Sequence, residues 1–243
     1  MIVGNWKMHG LMAQLAEIRA LAEAVKGAPR PGRVVVCPPA TLLADARRIL
    51  KDSSIELGGQ DCHDQDKGPF TGDISAEMLA DAGAALVILG HSERREGHGE
   101  TDGIVAAKVK AAVRAGLEPI ICVGEQLESR RAGNAVATVT SQLDGSLPPE
   151  LASRRFHIAY EPVWAIGSGL TPSRDEIAQM HEAIRGSLEA RFGSEGSRVA
   201  ILYGGSVKAG NSAEVLTTPG VDGALVGGAS LIAADFLKII QSR

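Results

Sequence analysis

Short apolar segments alternate with amphipathic segments along the whole of this 243-residue chain. The apolar segments are rich in Val and Ile at consecutive positions, as strands buried on both faces of a parallel sheet are. They are MIVGNW, RVVVCP, SIELGG, AALVILG, LEPIICVG, FHIAYEP, RVAILYGG and GALVGG. Eight strand-helix units of about 30 residues each fill the chain, which predicts an α/β protein that is a (β/α)8 barrel, with residues 1–243 forming a single domain.

The segments between the apolar runs have helical periodicity. After Leu11, apolar residues recur on one face and stop at Gly27, a residue type that often ends a helix. Ser173 and Glu176 have the spacing of a capping box and predict the start of another helix. A doubly wound nucleotide-binding fold is the competing architecture, but NWKMHG follows the first strand where that fold needs G-x-G-x-x-G.

Composition excludes several classes of function. The formal charge is -4, and no block of like charge would track a nucleic acid. Cys37, Cys62 and Cys122 are widely spaced without a C-x-x-C pattern, which favours a reducing compartment over a disulfide framework. No apolar run is long enough to span a bilayer, and the first residues do not resemble a signal peptide. We therefore expect a soluble, cytoplasmic protein without nucleic-acid or membrane partners.

Polar residues follow several of the predicted strands. In (β/α)8 barrels, catalytic side chains come from the carboxyl ends of the strands. The first run gives Asn5 at its end and Lys7 just after it, the fourth is followed by His91, and the sixth gives Glu161 near its end. The last two runs lead into glycine-rich turns, YGGS and VGGAS, whose backbone N–H groups can converge on a phosphate. The sequence predicts a site with an acid, an imidazole, an ammonium group and an anion cradle.

Glu161 stands directly before Pro162. Because proline biases the preceding residue towards extended conformations, Glu161 is expected to be held at the end of its strand. Such stiffness suits a general base, which must lie within a fraction of an ångström of its productive position. The alternative is a structural carboxylate paired with a lysine or arginine.

Six segments together resemble the triosephosphate isomerase family in order and spacing along the whole chain. They are GNWKMHG, ILGHSERR, CVGE, AYEPVWAIGSG, YGGSV and LVGGASL. The resemblance implies a TIM barrel that interconverts dihydroxyacetone phosphate and glyceraldehyde 3-phosphate, in glycolysis and gluconeogenesis, without a cofactor or metal. Two alternatives stay open: a non-catalytic phosphosugar-binding barrel or scaffold, and another barrel enzyme with a shared phosphate site. The NWK and GHSERR segments disfavour the second.

The resemblance also implies roles for the catalytic residues. Glu161 would be the base, while Lys7 and Asn5 would stabilise the enediolate. His91 would act as a neutral electrophile, and the family is itself a reference case for this tuning of a histidine pKa. A helix beginning at Ser92 would disfavour a charged His91 through its dipole. The ordinary alternatives are a solvated surface for Lys7 and turn capping for Asn5.

The glycine-containing segment WAIGSG, shortly after Glu161, resembles the family's lid. In this resemblance Trp164 marks the first hinge, and the backbone N–H of Gly167 reaches the substrate phosphate when the lid closes. The remaining phosphate contacts would come from the backbone N–H groups of Ser206, Gly227 and Gly228. An ordinary glycine-rich surface turn is the alternative.

Other residues would support this site. Ser92 and Glu93 follow His91, and Glu93 either balances Lys7 or forms a surface salt bridge with Arg94 or Arg95.

Two departures from the family pattern concern the lid. Leu170 stands where lysine is usual. Pro172 stands where many members have a residue whose N–H bonds the tyrosine matching Tyr203, and proline has no N–H to donate. We expect altered latching of the lid.

The long loop after the third strand, GGQDCHDQDKGPFTGDIS, needs a reason for its length. It resembles the arm that family members insert into a second subunit, with Gln60 at its base and Thr71 near its end. This implies a homodimer whose arms support the partner's active site. A mobile solvent loop is the alternative, and Asp61, where asparagine is common, leaves the packing open.

Overall fold

The computed structural model describes residues 1–26, 32–166 and 170–242. Eight parallel strands close into a barrel in sequential order, and β1 pairs with β8. The strands are β1 (Ile2–Asn5), β2 (Val34–Cys37), β3 (Ile55–Gly59), β4 (Leu86–Leu89), β5 (Glu118–Val123), β6 (His157–Tyr160), β7 (Ala200–Tyr203) and β8 (Gly223–Val226). Each predicted run contains one strand, so the (β/α)8 barrel is confirmed over the doubly wound alternative.

Helices surround the barrel and connect successive strands. They are α1 (Leu15–Lys26), α2 (Ala40–Ile49), α3 (Ala76–Asp81), α4 (Ser92–His98), α5 (Asp102–Arg114), α6 (Leu127–Arg131), α7 (Ala135–Ser146), α8 (Arg174–Phe192), α9 (Ser212–Leu216) and α10 (Ala233–Ile240). The predicted capping box opens α8: Ser173 Oγ accepts from the Glu176 N–H at 3.3 Å, and Glu176 Oε2 accepts from the Ser173 N–H at 2.7 Å. The predicted stop of α1 at Gly27 lies outside the described residues.

Strand side chains alternate between two cores. Alternate residues such as Val3, Leu86 and Ile88 fill the barrel interior, while their neighbours Ile2, Val87 and Leu89 pack against the helices. Both faces of each strand are therefore buried, which explains why the strands have continuous apolar runs. The residues that follow the strands are anchored to a rigid scaffold. None of the helices among residues 1–26, 32–166 and 170–242 is long and apolar enough to cross a membrane.

Candidate active site

The predicted catalytic residues meet at the carboxyl end of the barrel. Asn5 ends β1, His91 follows β4 and Glu161 follows β6. A cleft of about 640 Å³ is lined by these residues together with Lys7, Ser206, Gly227 and Gly228. Residues far apart in the chain thus form one concave site, as the strand-end positions predicted.

The Glu161 carboxylate is almost completely buried, with 1 % of the residue exposed. Its Oε2 accepts a hydrogen bond from the Ser92 N–H at 2.9 Å, and its Oε1 lies 2.8 Å from His91 Nε2. In the described part of the chain its ionic partner is therefore a histidine rather than the lysine or arginine of a structural ion pair.

The backbone of Glu161 is held by the neighbouring strand. Its N–H donates to the Val123 carbonyl at 2.8 Å. Gly124 packs so closely that a methyl group at that position would lie 1.7 Å from the Glu161 carbonyl oxygen. Gln142 in turn holds Gly124, donating to its carbonyl at 2.9 Å and accepting from its N–H at 2.8 Å. The position of the carboxylate therefore depends on Gly124, in the loop that follows the neighbouring strand β5.

We expect Gly124→Ala to lower kcat by about 10²-fold, because the added methyl must displace the Glu161 backbone and misplacement by about 1 Å costs that much. Steady-state kinetics measures the effect. The matched control is Gly186→Ala in α8, where a methyl meets no atom within 4 Å. Wild-type kcat in the Gly124 variant would contradict the close approach as a determinant of geometry.

The helix predicted to begin at Ser92 is α4, and His91 is its N-cap residue. Its Nδ1 accepts a hydrogen bond from the Glu93 N–H at 3.2 Å. A ring nitrogen that accepts carries no proton, so the proton of a neutral ring is on Nε2, which faces Glu161. This geometry supports a neutral imidazole that donates into the cleft.

The pKa of His91 nevertheless moves in the direction opposite to the one that the helix dipole predicts. Burial of the ring disfavours its charged form, but the adjacent Glu161 carboxylate outweighs burial and raises the pKa of His91. The sequence prediction considered only the helix N-terminus. The contact with Glu161 comes from the tertiary structure, and it is lost whenever the carboxylate moves away.

Lys7 has a strained backbone, with a positive φ of 53° in a residue other than glycine. Neighbours hold it on both sides: Asn5 Oδ1 accepts from the Lys7 N–H at 3.0 Å, and Gln60 Nε2 donates to the Lys7 carbonyl at 2.8 Å. Asn5 therefore does cap a turn, and Gln60 has a position beside its own chain's site that the resemblance did not imply.

The Lys7 ammonium forms an ion pair with Glu93, Nζ to Oε1 at 2.5 Å. Partial burial favours a higher pKa for Glu93, but Lys7 overrides it and holds the pKa below its usual range. Glu93 thus balances Lys7, whereas Arg94 and Arg95 pair with other acids, Arg94 with Asp61 and Arg95 with Asp102. This resolves the alternative left open by the sequence.

The glycine-rich turns after β7 and β8 form the other wall of the cleft. In the described part of the chain, the N–H groups of Ser206, Gly227 and Gly228 donate to no acceptor. A methyl group at Gly227 would lie 3.4 Å from Lys7 Cε, so the lysine stem runs alongside this turn. Lys208 also lines the cleft, and sequence reasoning missed it although it directly follows YGGSV. Free amides near two ammonium groups suit a phosphate.

Trp164 is anchored to a buried acid. Its Nε1 donates to Glu125 Oε1 at 2.9 Å, and Tyr160 and Arg130 donate to the same oxygen at 3.2 and 3.1 Å. The Arg130 guanidinium also lies over the Trp164 ring, 5.0 Å from its centroid. Sequence reasoning assigned no role to Glu125 or Arg130, although an acid two residues after β5 was a usable signal.

Tyr203 is fully buried, and its hydroxyl has no hydrogen-bond partner among the described residues. Pro172 is buried as well, while Leu170 is 50 % exposed. Gly167, predicted to contact the phosphate, lies outside the described residues.

The long segment after β3 closes on itself. The His63 N–H donates to the Ile74 carbonyl at 2.8 Å, and the rings of His63 and Phe70 lie 4.1 Å apart. Thr71 is exposed between them and α3. The segment comprises residues 60–75. At its base, Asp61 forms an ion pair with Lys108, with 2.8 Å between Oδ2 and Nζ. Contacts within the chain therefore hold this segment in place.

Comparison with known proteins places the chain among close relatives. A sequence model of the family described as triosephosphate isomerase matches residues 1–243. The triosephosphate isomerase of Caulobacter vibrioides is 57 % identical over 242 residues, covering 100 % of this chain and 96 % of that protein. The triosephosphate isomerase of Xanthobacter flavus is 54 % identical, again covering 100 % of this chain and 96 % of that protein.

A solved structure agrees with these sequence matches. The crystal structure of triosephosphate isomerase from Bartonella henselae superposes with a TM-score of 0.93 at 49 % identity, covering 99 % of this chain and 97 % of that one. The fold, the whole-chain matches and the geometry of the cleft agree, and this chain belongs to the triosephosphate isomerase family.

Proposed function

We propose that this chain interconverts dihydroxyacetone phosphate and D-glyceraldehyde 3-phosphate through an enediolate, with Glu161 as the base. The reaction moves a proton between adjacent carbons, so one carboxylate can remove it from one carbon and return it to the other. The observation that carries the proposal is that one cleft holds Glu161, His91 and Lys7 opposite three backbone N–H groups that donate to no acceptor among the described residues.

Proton removal leaves negative charge on the substrate oxygen, and the cleft supplies donors for it. Lys7 brings a fixed positive charge, Asn5 has its amide N–H groups available since its Oδ1 is used by Lys7, and His91 donates from Nε2. When Glu161 turns from His91 to the substrate carbon, it no longer raises the pKa of His91. Burial then favours the neutral ring.

The substrate phosphate fits the cradle of Ser206, Gly227 and Gly228. Anions bind well where several backbone N–H groups converge. The lid that begins at Trp164 completes the site in this proposal, with Gly167 reaching the phosphate and the closed lid excluding water from the enediolate. Pro172 offers no N–H to the orphan Tyr203 hydroxyl, so the lid must latch through other groups.

A coupled assay that measures triose phosphate interconversion tests the proposed activity, and inhibition by a phosphoglycolate-type analogue tests the geometry of the site. Binding of the analogue without turnover would favour the phosphosugar-binding or scaffold alternative. Absence of both would overturn the proposal.

The homodimer and the cytoplasmic location are further parts of the proposal. A recess of about 980 Å³ adjoins the catalytic residues and is lined by Lys7, Met8, Glu93, His98 and Ile104. Met8 lines it and is 95 % exposed, and Leu11, three residues further along the chain, is 76 % exposed. Exposed apolar patches mark interaction surfaces. Residues of this chain's own long segment, among them His63 and Ile74, also line the recess. In the proposed homodimer the corresponding segment of a second copy, with Thr71 near its end, inserts there. The free thiols of the three buried cysteines suit a reducing compartment.

We expect sedimentation equilibrium to give twice the chain mass of 25.3 kDa. Ile104→Lys places a charge in the apolar rim of the recess and is expected to shift the protein towards monomer and lower kcat with it. Ile232→Lys is the matched control, since Ile232 is 50 % exposed and lies outside the recess. A monomeric wild-type protein, or dissociation by both variants alike, would count against the arm and recess as the interface.

A further inference from the structure

Arginine side chains gather in a groove at the amino-terminal end of the barrel, opposite the catalytic cleft. The groove has a volume of about 920 Å³ and lies where β2, β6 and β7 begin. Among the described residues that line it, the charged side chains are five arginines and one acid, Glu195. The arginines are Arg33, Arg154, Arg155, Arg191 and Arg198. In a chain with a formal charge of -4, this is a local reversal of sign. We call this feature the arginine groove.

Three of these arginines are already engaged. Arg33 lies between Glu56 and Glu118, at 2.7 and 2.6 Å. Arg198 pairs with Glu195 at 3.0 Å, and Arg191 donates to backbone carbonyls at the end of α7. Their charges are largely balanced, so they shape the groove more than they attract a ligand.

Arg154 and Arg155 are different. Arg154 is exposed, and its guanidinium has no hydrogen-bond or ionic partner in the part of the chain that the structure describes. Arg155 is 70 % exposed, and its nearest carboxylate, Glu118, is 3.6 Å away and already shared with Arg33 and His157. Each guanidinium has five N–H donors in a planar fork. Both guanidinium groups line the groove and are available to an anion.

The backbone beside these arginines is strained. Ser153 has a φ of 64°, in the left-handed region that residues other than glycine rarely adopt. Hydrogen bonds on either side, Arg154 N–H to the Leu151 carbonyl at 2.9 Å and Ala152 N–H to the Pro149 carbonyl at 3.0 Å, maintain the turn. Backbone strain of this kind is found at ligand sites among other functional sites.

His157 also lines the groove and is only 6 % exposed. Its Nε2 lies 3.0 Å from Glu118 Oε2, the oxygen that also pairs with Arg33. The carboxylate nearest to Arg155 is therefore already engaged by two other side chains.

We propose that the arginine groove binds a small anion with two or more linked phosphate groups, held chiefly by Arg154 and Arg155. Guanidinium forks bind phosphate oxygens in bidentate fashion, and two adjacent forks match linked phosphates better than a single phosphate. The volume is within the range of small-molecule sites. The phosphate chain can belong to inorganic triphosphate or to a nucleoside triphosphate, which share this chemistry. This site is separate from the catalytic cleft and does not depend on the proposed isomerase activity.

Isothermal titration of inorganic triphosphate at low ionic strength tests the proposal. A phosphoglycolate-type analogue present in excess keeps the phosphate cradle of the cleft occupied. The variant R154A/R155A is compared with R19A/R48A, which removes the same charge from exposed positions on α1 and α2. We expect saturable binding by the wild type, weakened at least about tenfold in R154A/R155A and about twofold or less in the control.

ATP without magnesium is titrated in parallel. Tighter binding than triphosphate assigns the groove to a nucleotide, and equal binding assigns it to the phosphate chain alone; either result supports the site. Should the alanine variant fold poorly by circular dichroism, R154K/R155K keeps the charge but removes the forks and is expected to bind at least about threefold more weakly. Lack of saturable binding by the wild type, or equal affinities in the groove and control variants, would overturn the proposal whether or not the protein is an isomerase.

Discussion

Glu161→Asp is expected to lower kcat by roughly two to three orders of magnitude, because a carboxylate shorter by one methylene cannot reach its productive position. Aspartate keeps the negative charge and the position after β6. The loss of kcat therefore measures the longer distance from carboxylate to substrate, and not a change of functional group. The tight packing of Gly124 against the Glu161 carbonyl prevents the backbone from moving to compensate. Steady-state kinetics of triose phosphate interconversion gives the value directly.

Glu128→Asp on the exposed surface of α6 is the control for the same loss of a methylene, and we expect it to leave kcat unchanged. Circular dichroism and thermal unfolding show whether the Glu161 variant is folded. A folded Glu161→Asp enzyme with wild-type turnover would remove Glu161 from the role of general base.

Lys7→Met should also lower kcat by about 10²–10³-fold, and it should raise KM. Loss of one donor aimed at developing negative charge has an effect of this size, and the substrate phosphate loses a nearby cation as well. Methionine keeps an unbranched stem, so the strained backbone at φ 53° is disturbed little. The hydrogen bonds from Gln60 and to Asn5 involve the main chain and are retained.

Two further variants distinguish a positive charge that stabilises the reacting oxygen from one that only helps the cleft to bind the substrate. Glu93→Gln removes the partner of the Lys7 ammonium without removing the ammonium, and Lys208→Met removes a more exposed cation of the same cleft. We expect both to change KM more than kcat. If Lys7→Met behaves like Lys208→Met, with kcat intact, Lys7 binds the substrate but does not stabilise the enediolate.

Local sequence patterns were sufficient for the elements and for the positions of several predicted site residues. Continuous apolar runs identified all eight strands, because strands in a closed parallel barrel are buried on both faces. The Ser173 and Glu176 spacing located the start of α8, because a capping box involves residues of one turn. Positions at or just after the carboxyl ends of strands brought Asn5, His91 and Glu161 into one cleft, because all strand ends of one polarity meet at one end of the barrel.

Contacts between distant segments could not be read in this way. The hydrogen bond from Gln60 to the Lys7 carbonyl joins residues 53 positions apart, and that from Trp164 to Glu125 joins residues 39 apart. The raised pKa of His91 depends on Glu161, which lies 2.8 Å away only because β4 and β6 bring their ends together. Which side chains meet in such contacts depends on strand register and on rotamers, and neither leaves a periodic signal in the sequence.

The arginine groove shows the same limit most clearly. Arg33, Arg154 and Arg198 come from three separate loops, and no stretch of the chain has a basic run that would mark them together. Only closure of the barrel places the starts of β2, β6 and β7 around one groove. Periodicity and short-range spacing therefore determined the architecture and the catalytic end of this protein, while the ionic environment of each site was decided by the three-dimensional approach of its loops, since electrostatic interactions depend on distance in space and not along the chain.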